Sequence, residues 1–313
     1  MPMPMKSIIK RLPFARFAQQ FFTQEKFTDS IVFNYFGAQL VRYLLAKLVY
    51  QFRTRAVDAG KLSKPHIDTL ISDGIVVIPD AFSDDIFRQL KGEFESVGMS
   101  GLFGDAESSA DEDINVLNDG STQRIRKKVR ATNANEFPQT VNLLTCDWLL
   151  DILEGACGKK LDLRSIAYEQ IRHGESISKP DPAKDMHSDT FYEAFKFWIF
   201  LEDVDLADGP FTFVPRSHRL SFQRMLFEYQ ETTSNFWHTR NGKWTFRPKG
   251  AYKEQLAQNE IPFVAKANTL VIANVGGMHH RGEAELNTGR KQIFCSIRFN
   301  PFDLQPNKAL HVG

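Results

Sequence analysis

The sequence predicts a mainly β domain, a sandwich or barrel, with helices flanking it on the N-terminal side. Three observations predict this. From about residue 124 onward, short β-like runs follow one another, separated by turn residues and with little helical periodicity. Helical patterning is concentrated before that point and around 138–156. Hydrophobic residues make up 42% of the 313, including 27 phenylalanines, which is enough for a large core and excludes global disorder.

In chain order, the first element is "IVFNYFGAQLVRYLLAKLVYQFRTR", residues 31–55. Phe36, Leu40, Leu44, Leu48 and Phe52 recur at helical spacing, so an amphipathic helix is expected with these side chains on its apolar face. Asn34, Gln39, Arg42 and Lys47 interrupt the run, which argues against a transmembrane helix. Residues 1–56 hold nine basic and two acidic residues, an excess of seven in a chain whose net charge is +1. Residues 1–60 are therefore expected to be a basic amphipathic leader. It either packs on the main domain or makes peripheral contact with a membrane surface, its Lys and Arg side chains near lipid headgroups. Residues 61–313 form the second expected unit.

Next, "ISDGIVVIPDAFSDDIFRQLKGEFESVG" (71–98) reads as a short strand, a Ser83/Asp84 cap and a helix with Ile86, Leu90 and Phe94 on one face. Residues 103–123, acidic and rich in small side chains, read as a mobile loop in the position of a lid. The β-like runs that follow are "RKKVRAT", "SIAYEQIRH", "FKFWIFLEDV", "GPFTFVP", "TLVIANV" and "QIFCSIRFNPF". Residues 221–258 interrupt them with an aromatic and basic stretch.

Composition and motifs exclude several functions. The near-neutral total gives no nucleic-acid signature. Cys146, Cys157 and Cys295 form neither a disulfide framework nor a zinc site, and they point to a reducing, cytoplasmic setting. The start lacks the apolar core and cleavage site of a secretory signal. There is no G-x-S-x-G elbow, no Walker phosphate loop and no G-x-G-x-x-G after a strand.

The positive signal is His187-Ser188-Asp189. On an extended strand, positions i and i+2 share a face, so imidazole and carboxylate can meet one metal ion. Alone, the pair is equally a surface histidine beside an acid. A third ligand from a distant strand is offered in "TLVIANVGGMHHRG", where Gly-Gly precedes His279 and His280. Two histidines and a carboxylate on one face of Fe(II) leave positions open for oxygen chemistry. Downstream, Arg290 offers a guanidinium suited to gripping a dicarboxylate.

Taken together, "HSD", "FWIFLEDVDLADGPFTFVPRSHR", "TLVIANVGGMHHRG" and Arg290, in that order, resemble the phytanoyl-CoA dioxygenase family of Fe(II)- and 2-oxoglutarate-dependent oxygenases. "DGIVVIPDAFSDDIFRQL" is similar to that family's first strand and helix, so the resemblance spans roughly 65–302. It implies a double-stranded β-helix core of the jelly-roll or cupin kind. It implies Fe(II), with 2-oxoglutarate and O2 as co-substrates. The proximal metal ligands would be His187 and Asp189. The family's H-x-R-G variant and the eleven-residue distance to Arg290 favour His279 over His280 as the distal ligand. Arg290 would bind the far carboxylate of 2-oxoglutarate, with Trp198 and Gln170 also lining it. A carboxylate at 189, where related halogenases carry a small residue, favours hydroxylation over halogenation.

The reaction implied is hydroxylation of an unactivated C–H bond of a small-molecule or lipid-linked substrate, with release of succinate and CO2. The alternatives are desaturation or oxidative cyclisation on the same fold, and a non-catalytic β-barrel binding module at a membrane. Phe191, Trp237, Arg240 and Arg247 are the residues expected to meet substrate. Lys243 and Lys249 extend the same basic stretch.

Overall fold

The computed structural model describes residues 20–57, 60, 63–103, 112–174, 181–241, 245–305 and 310–312. The basic positions Lys6, Lys10, Arg11 and Arg16, the centre of the expected lid at 104–111, and Lys243 lie outside them.

Helices α1 (Ile31–Tyr35), α2 (Ala38–Ala56) and α3 (Lys64–Asp73) precede strand β1 (Ile75–Ile78) and helix α4 (Asp84–Ser96). Then come β2 (Ile114–Asp119), β3 (Thr122–Arg130), α5 (Pro138–Asn142), α6 (Asp147–Cys157), β4 (Leu161–Leu163) and β5 (Ser165–His173). Strands β6 (Phe195–Phe200) and β7 (Phe211–Phe213) lead into helices α7 (Phe222–Thr232), α8 (Phe236–Asn241) and α9 (Gly250–Ala257). The chain closes with β8 (Ile261–Pro262), β9 (Leu270–Asn274), β10 (His279–Arg281), β11 (Gly289–Ile297) and β12 (Leu310–Val312). All six β-like runs read from the sequence contain strands.

Seven strands form one antiparallel sheet in the order β1-β9-β6-β11-β5-β3-β2. A smaller antiparallel sheet, β10-β7-β8, completes the double-stranded β-helix. Strand alternation divides the large sheet into two faces. Phe195, Phe197 and Ile199 of β6, with Ile293, Cys295 and Ile297 of β11, join the core beneath α3, α4 and α6. The intervening Lys196, Trp198 and Phe200, with Arg290, Gln292 and Phe294, turn into the barrel. The charged Lys196 within the apolar β6 therefore marks its barrel-facing side.

Three expectations are corrected. The stretch after 112 is not a loop. Residues 114–130 form a hairpin closed at Asp119-Gly120-Ser121, with Gly120 at φ 67°. The Asp-Gly pair supplies the positive φ that a tight hairpin turn needs, and the acidic composition hid it. The 221–258 interruption, in a part of the chain read as having little helical periodicity, carries three helices.

The third correction concerns the leader helix. In α2 the expected apolar face is the outward one: Leu48 is 61% exposed and Phe52 58%, and Phe36, the C-cap of α1, is 85% exposed. The buried face holds Gln39, Arg42, Tyr43, Ala46, Tyr50 and Arg53. Every polar member of that face finds partners, which is what permits its burial. Arg42 donates to the carbonyls of Phe21, Thr23 and Glu25, and to Gln39 Oε1. Gln39 reaches Glu228 on α7, and Lys47 pairs with the buried Glu193. Arg42, Lys47 and Arg53 therefore serve the interior and not lipid headgroups. No helix among the described residues is long and apolar enough to cross a membrane.

Candidate metal centre

His187 and His279 face each other through an antiparallel bridge, each amide donating to the other's carbonyl at 2.9 Å. Their rings lie 4.5 Å apart between centroids. Asp189, two residues on, donates its amide to Val275 O at 2.9 Å and turns its Oδ1 toward both rings. That oxygen is 3.7 Å from His187 Nε2 and 3.8 Å from His279 Nε2. One donor atom from each of these three buried residues lies within 4.8 Å of the others.

The turn that delivers His279 needs its two glycines. A Cβ on Gly276 would stand 2.3 Å from Tyr192 O, and one on Gly277 2.8 Å from the Phe213 ring. Arg224, wholly buried on α7, ties the two ligand segments together. It donates to Ser188 Oγ, Thr190 O and Gly276 O while held by Glu228 at 2.8 Å. Nothing in the spacing of the sequence announces Arg224, because its partners are mostly backbone carbonyls from distant segments.

The donor set fits a divalent first-row metal. His187 Nδ1 hydrogen-bonds Asp185 O at 2.8 Å and His279 Nδ1 hydrogen-bonds Gly277 O at 2.9 Å. A carbonyl only accepts, so both Nδ1 atoms carry the proton and both Nε2 lone pairs face the centre. Burial lowers the His187 pKa to about 4 and the His279 pKa well below its usual value, so both rings are neutral near pH 7. Burial alone would raise the Asp189 pKa. Lys196, the two histidines and Arg298 outweigh it and hold the carboxyl well below its usual range. Lys196 Nζ and Arg298 Nη2 both grip Oδ2, at 2.7 and 2.8 Å, leaving Oδ1 free. His280 bonds Glu260 through its Nε2 at 3.1 Å, so that nitrogen is directed away from the triad.

Arg290 lines the same cavity as His187 and His279, together with Trp198, Phe211 and Phe294. The guanidinium is buried, has no carboxylate partner among the described residues, and leaves its Nε without any hydrogen bond. Burial lowers its pKa to about 9, with Arg281 adding to the effect. An unpaired buried cation facing a cavity fits a ligand carboxylate. The Trp198 and Phe211 rings are tilted against each other with centroids 4.6 Å apart, and the Phe211 ring lies 5.5 Å from that of His279.

Other expected site residues lie elsewhere. Gln170 shares the parity of Ile166 and Tyr168, faces away from the barrel interior and bonds Ser100. Its neighbour Glu169 is the inward one, held by Gln292 at 2.6 Å and by Arg126. Phe191 is buried in the core, with the Arg42 guanidinium 4.5 Å above its ring. Trp237 is 60% exposed on α8 and meets Phe236 edge-on, while Arg240 lies over the Trp237 ring. None of these four lines the cavity. Arg247 does approach the centre: its Nη1 donates to Asp185 O, the carbonyl that also receives His187 Nδ1. Lys249 stands exposed at the start of α9. Lys196, Glu169, Arg126 and Gln292 were missed. Their signal was charge or polarity at alternate positions of otherwise apolar strands.

A family model described as phytanoyl-CoA dioxygenase (PhyH) matches residues 71–289. No curated protein matches the sequence. Among solved structures, the chain is similar to EctD from S. alaskensis with bound Fe, at 16% identity over 79% of this chain and 80% of that one, TM-score 0.48. It is also similar to the non-heme alpha ketoglutarate dependent epimerase SnoN from nogalamycin biosynthesis, at 15% identity over 76% and 82%, TM-score 0.45. AviO1 from Streptomyces viridochromogenes Tue57 shares 15% identity over 77% of this chain and 97% of that one, TM-score 0.46.

Proposed function

This chain belongs to the phytanoyl-CoA dioxygenase family of Fe(II)- and 2-oxoglutarate-dependent oxygenases, and from that premise we propose that it hydroxylates an unactivated C–H bond of a small molecule. The observation that carries the proposal is the His187, Asp189 and His279 group sharing one cavity with the unpaired Arg290. His187, Asp189 and His279 would hold Fe(II), and Arg290 would take the far carboxylate of 2-oxoglutarate. The bound metal and co-substrate together supply oxidising power from O2, with succinate and CO2 released.

The chain's own part is positional. The Asp185 and Gly277 carbonyls set the histidine tautomers, while Lys196 and Arg298 turn Asp189 so that one oxygen faces the metal. Trp198, Phe211 and Phe294 wall the cavity with apolar surface, which keeps bulk water from the reacting carbon. Asp189 occupies the second proximal ligand position with a carboxylate, which supports hydroxylation over halide transfer. Residues 61–313 would form the catalytic unit, with the leader helices as its structural complement.

The test is product analysis. Purified protein with Fe(II), 2-oxoglutarate, O2 and a panel of candidate substrates should release succinate with one oxygen atom gained by the substrate. A product lacking two hydrogens with no added oxygen would instead establish desaturation or cyclisation.

A second reading, peripheral membrane contact, draws support from the outward Phe36, Leu48 and Phe52. Co-sedimentation with anionic liposomes should fall on changing all three to serine. Equal binding by that variant would rule the surface out.

A further inference from the structure

Strand β3 sets one cation after another on the barrel face of the large sheet. Arg124, Arg126, Lys128 and Arg130 alternate with positions such as Ile125 and Val129, which turn to the core beneath the helices. Arg124 and Arg126 line the metal cavity. Arg126 and Lys128 line a second cavity, whose other walls include Asn115, Ala167, Phe294 and Ser296. Arg126 and Phe294 belong to both, so the two cavities meet there. Each holds about 220 Å³, so the second is more than a lip of the first.

Sheet register places the second cavity beside the metal centre. Trp198 pairs with Phe294, Phe294 with Ala167 and Ala167 with Lys128, one row across four strands. Three strand spacings, about 14 Å along the sheet, separate the ends of that row. Two residues along β11, Ser296 pairs with Lys196, whose ammonium grips Asp189. A ligand in the second cavity thus has a path past Phe294 to His187, Asp189 and His279.

The charges on this path are unequally paired. Arg130 takes Asp113, and Arg124 takes Asp119. Arg126 spends its Nε on Glu169 and lays its guanidinium 4.3 Å from the centre of the Phe294 ring. Its two terminal amines make no hydrogen bond among the described residues. Lys128 Nζ makes neither a hydrogen bond nor an ion pair among them. Glu169 and Phe294 therefore hold a planar fork whose outer edge is unused. A second cation stands two residues away, about 7 Å along the strand, on the same cavity. A fixed guanidinium with an ammonium beside it suits an oxyanion, taken by the fork in two hydrogen bonds and by the ammonium as a point charge. Arg290 does not line this second cavity, so the far carboxylate of 2-oxoglutarate is served separately.

We propose that the substrate is an elongated organic anion whose carboxylate or phosphate is received in the second cavity by Lys128 and the terminal amines of Arg126. Its chain runs past Phe294 to the metal, so the head group fixes which carbon is presented for oxidation. The proposal rests on the oxygenase reading above.

The test uses the full chain, loaded anaerobically with Fe(II) and 2-oxoglutarate so that Arg290 is already filled. Sodium hexanoate, hexyl phosphate and hexan-1-ol are titrated calorimetrically into wild type, Lys128→Met and Lys128→Arg. Wild type should bind one anion per chain, and the alcohol at least about tenfold more weakly. Lys128→Met should weaken the anion about tenfold or more, while Lys128→Arg stays close to wild type. Tighter hexyl phosphate assigns a phosphate head group, and tighter hexanoate a carboxylate. The bound anion should also change the electron paramagnetic resonance spectrum of the nitric oxide adduct of the Fe(II) protein. Anion binding that is absent from wild type, matched by the alcohol, equal in Lys128→Met, or without effect on that spectrum overturns the proposal and leaves the oxygenase reading standing. Failure of wild type to take up Fe(II) or 2-oxoglutarate overturns both. Lys128→Met should melt within a few degrees of wild type, because its ammonium has no ion pair to lose, so a loss of anion binding reads the site and not the fold.

Discussion

Lys196 Nζ holds Asp189 Oδ2 at 2.7 Å, and by doing so turns Oδ1 toward the two imidazoles. The cation that orients the ligand also depends on it, since Lys196 is mostly buried. Asp189→Asn should therefore do two things. It should abolish tight Fe(II) binding, and it should destabilise the metal-free protein by about 1–3 kcal/mol by stranding the ammonium. Adding Lys196→Met to Asp189→Asn should recover part of that stability in denaturant titrations. Strict additivity of the two changes would show that the pair is not coupled.

The two adjacent histidines should separate cleanly. His279→Ala removes an Nε2 that faces the centre, and Fe(II) affinity should fall by more than the roughly 10–100-fold typical of a lost outer-shell partner. His280→Ala removes a bond to Glu260, and affinity should stay within about threefold of wild type. Metal titrations on both variants decide it, and a larger loss for His280→Ala would move the ligand assignment.

Arg290→Leu should weaken 2-oxoglutarate binding by about 10–100-fold, the loss expected for charged hydrogen bonds to a carboxylate, with Fe(II) affinity unchanged. Arg290→Lys keeps the charge but not the fork, and should fall between the two. Calorimetry under anaerobic conditions reads both. Unchanged 2-oxoglutarate affinity in Arg290→Leu would place the far carboxylate elsewhere.

His173 and His218 should make the metal-loaded protein acid-sensitive. Burial lowers each pKa to about 4, against about 6.5 for a free histidine. The unfolded chain then binds more protons than the folded one between those values, so stability is complete above about pH 6.5 and falls as pH drops toward 4. His218 bonds Ile71 O through Nε2 and leaves Nδ1 buried without a partner, so protonation there adds an unpaired donor. Urea midpoints at pH 7 and pH 5 should differ, and His218→Gln should shrink the difference. A flat profile contradicts the assignment.

Removing the leader should cost the fold. Glu193 is buried against Lys47 and Glu228 receives Gln39, so a chain starting at Lys61 leaves acidic groups buried with fewer partners. Breaking one such buried pair costs about 3–5 kcal/mol, against a total stability of about 5–15 kcal/mol. The truncated chain should show no cooperative thermal transition, and Lys47→Ala in the full chain should lower the melting temperature by several degrees. A cooperatively folding truncation would restore the leader as an independent unit.

How much of this was legible depended on how local the causes were. The strands of the large sheet other than β2 were readable because apolar runs and turn residues are contiguous in the chain. Asp119-Gly120 was readable in principle, and was obscured only by the acidic residues before it. Gln170 was misplaced by a single step of strand parity: a one-residue shift exchanges barrel interior for helix-facing core, and nothing in "YEQIRH" alone says which side is which. The leader helix failed for a different reason. Periodicity shows that α2 has an apolar face, but burial went to the face whose polar groups had partners waiting on α7 and in residues 20–25.

By itself, then, the sequence determined the succession of strands, the His-x-Asp pair, the glycines before His279 and the arginine eleven residues beyond it, because each is written in residue type and short spacing. Only the tertiary structure decided that His279 and not His280 meets the pair, that Lys196 and Arg298 share the outer oxygen of Asp189, and that Arg224 ties the ligand segments. Apart from that of Lys196 with Asp189, those are contacts between segments tens of residues to about a hundred residues apart. Their partners are backbone carbonyls and lone charges, which leave no pattern in the chain until folding brings them together.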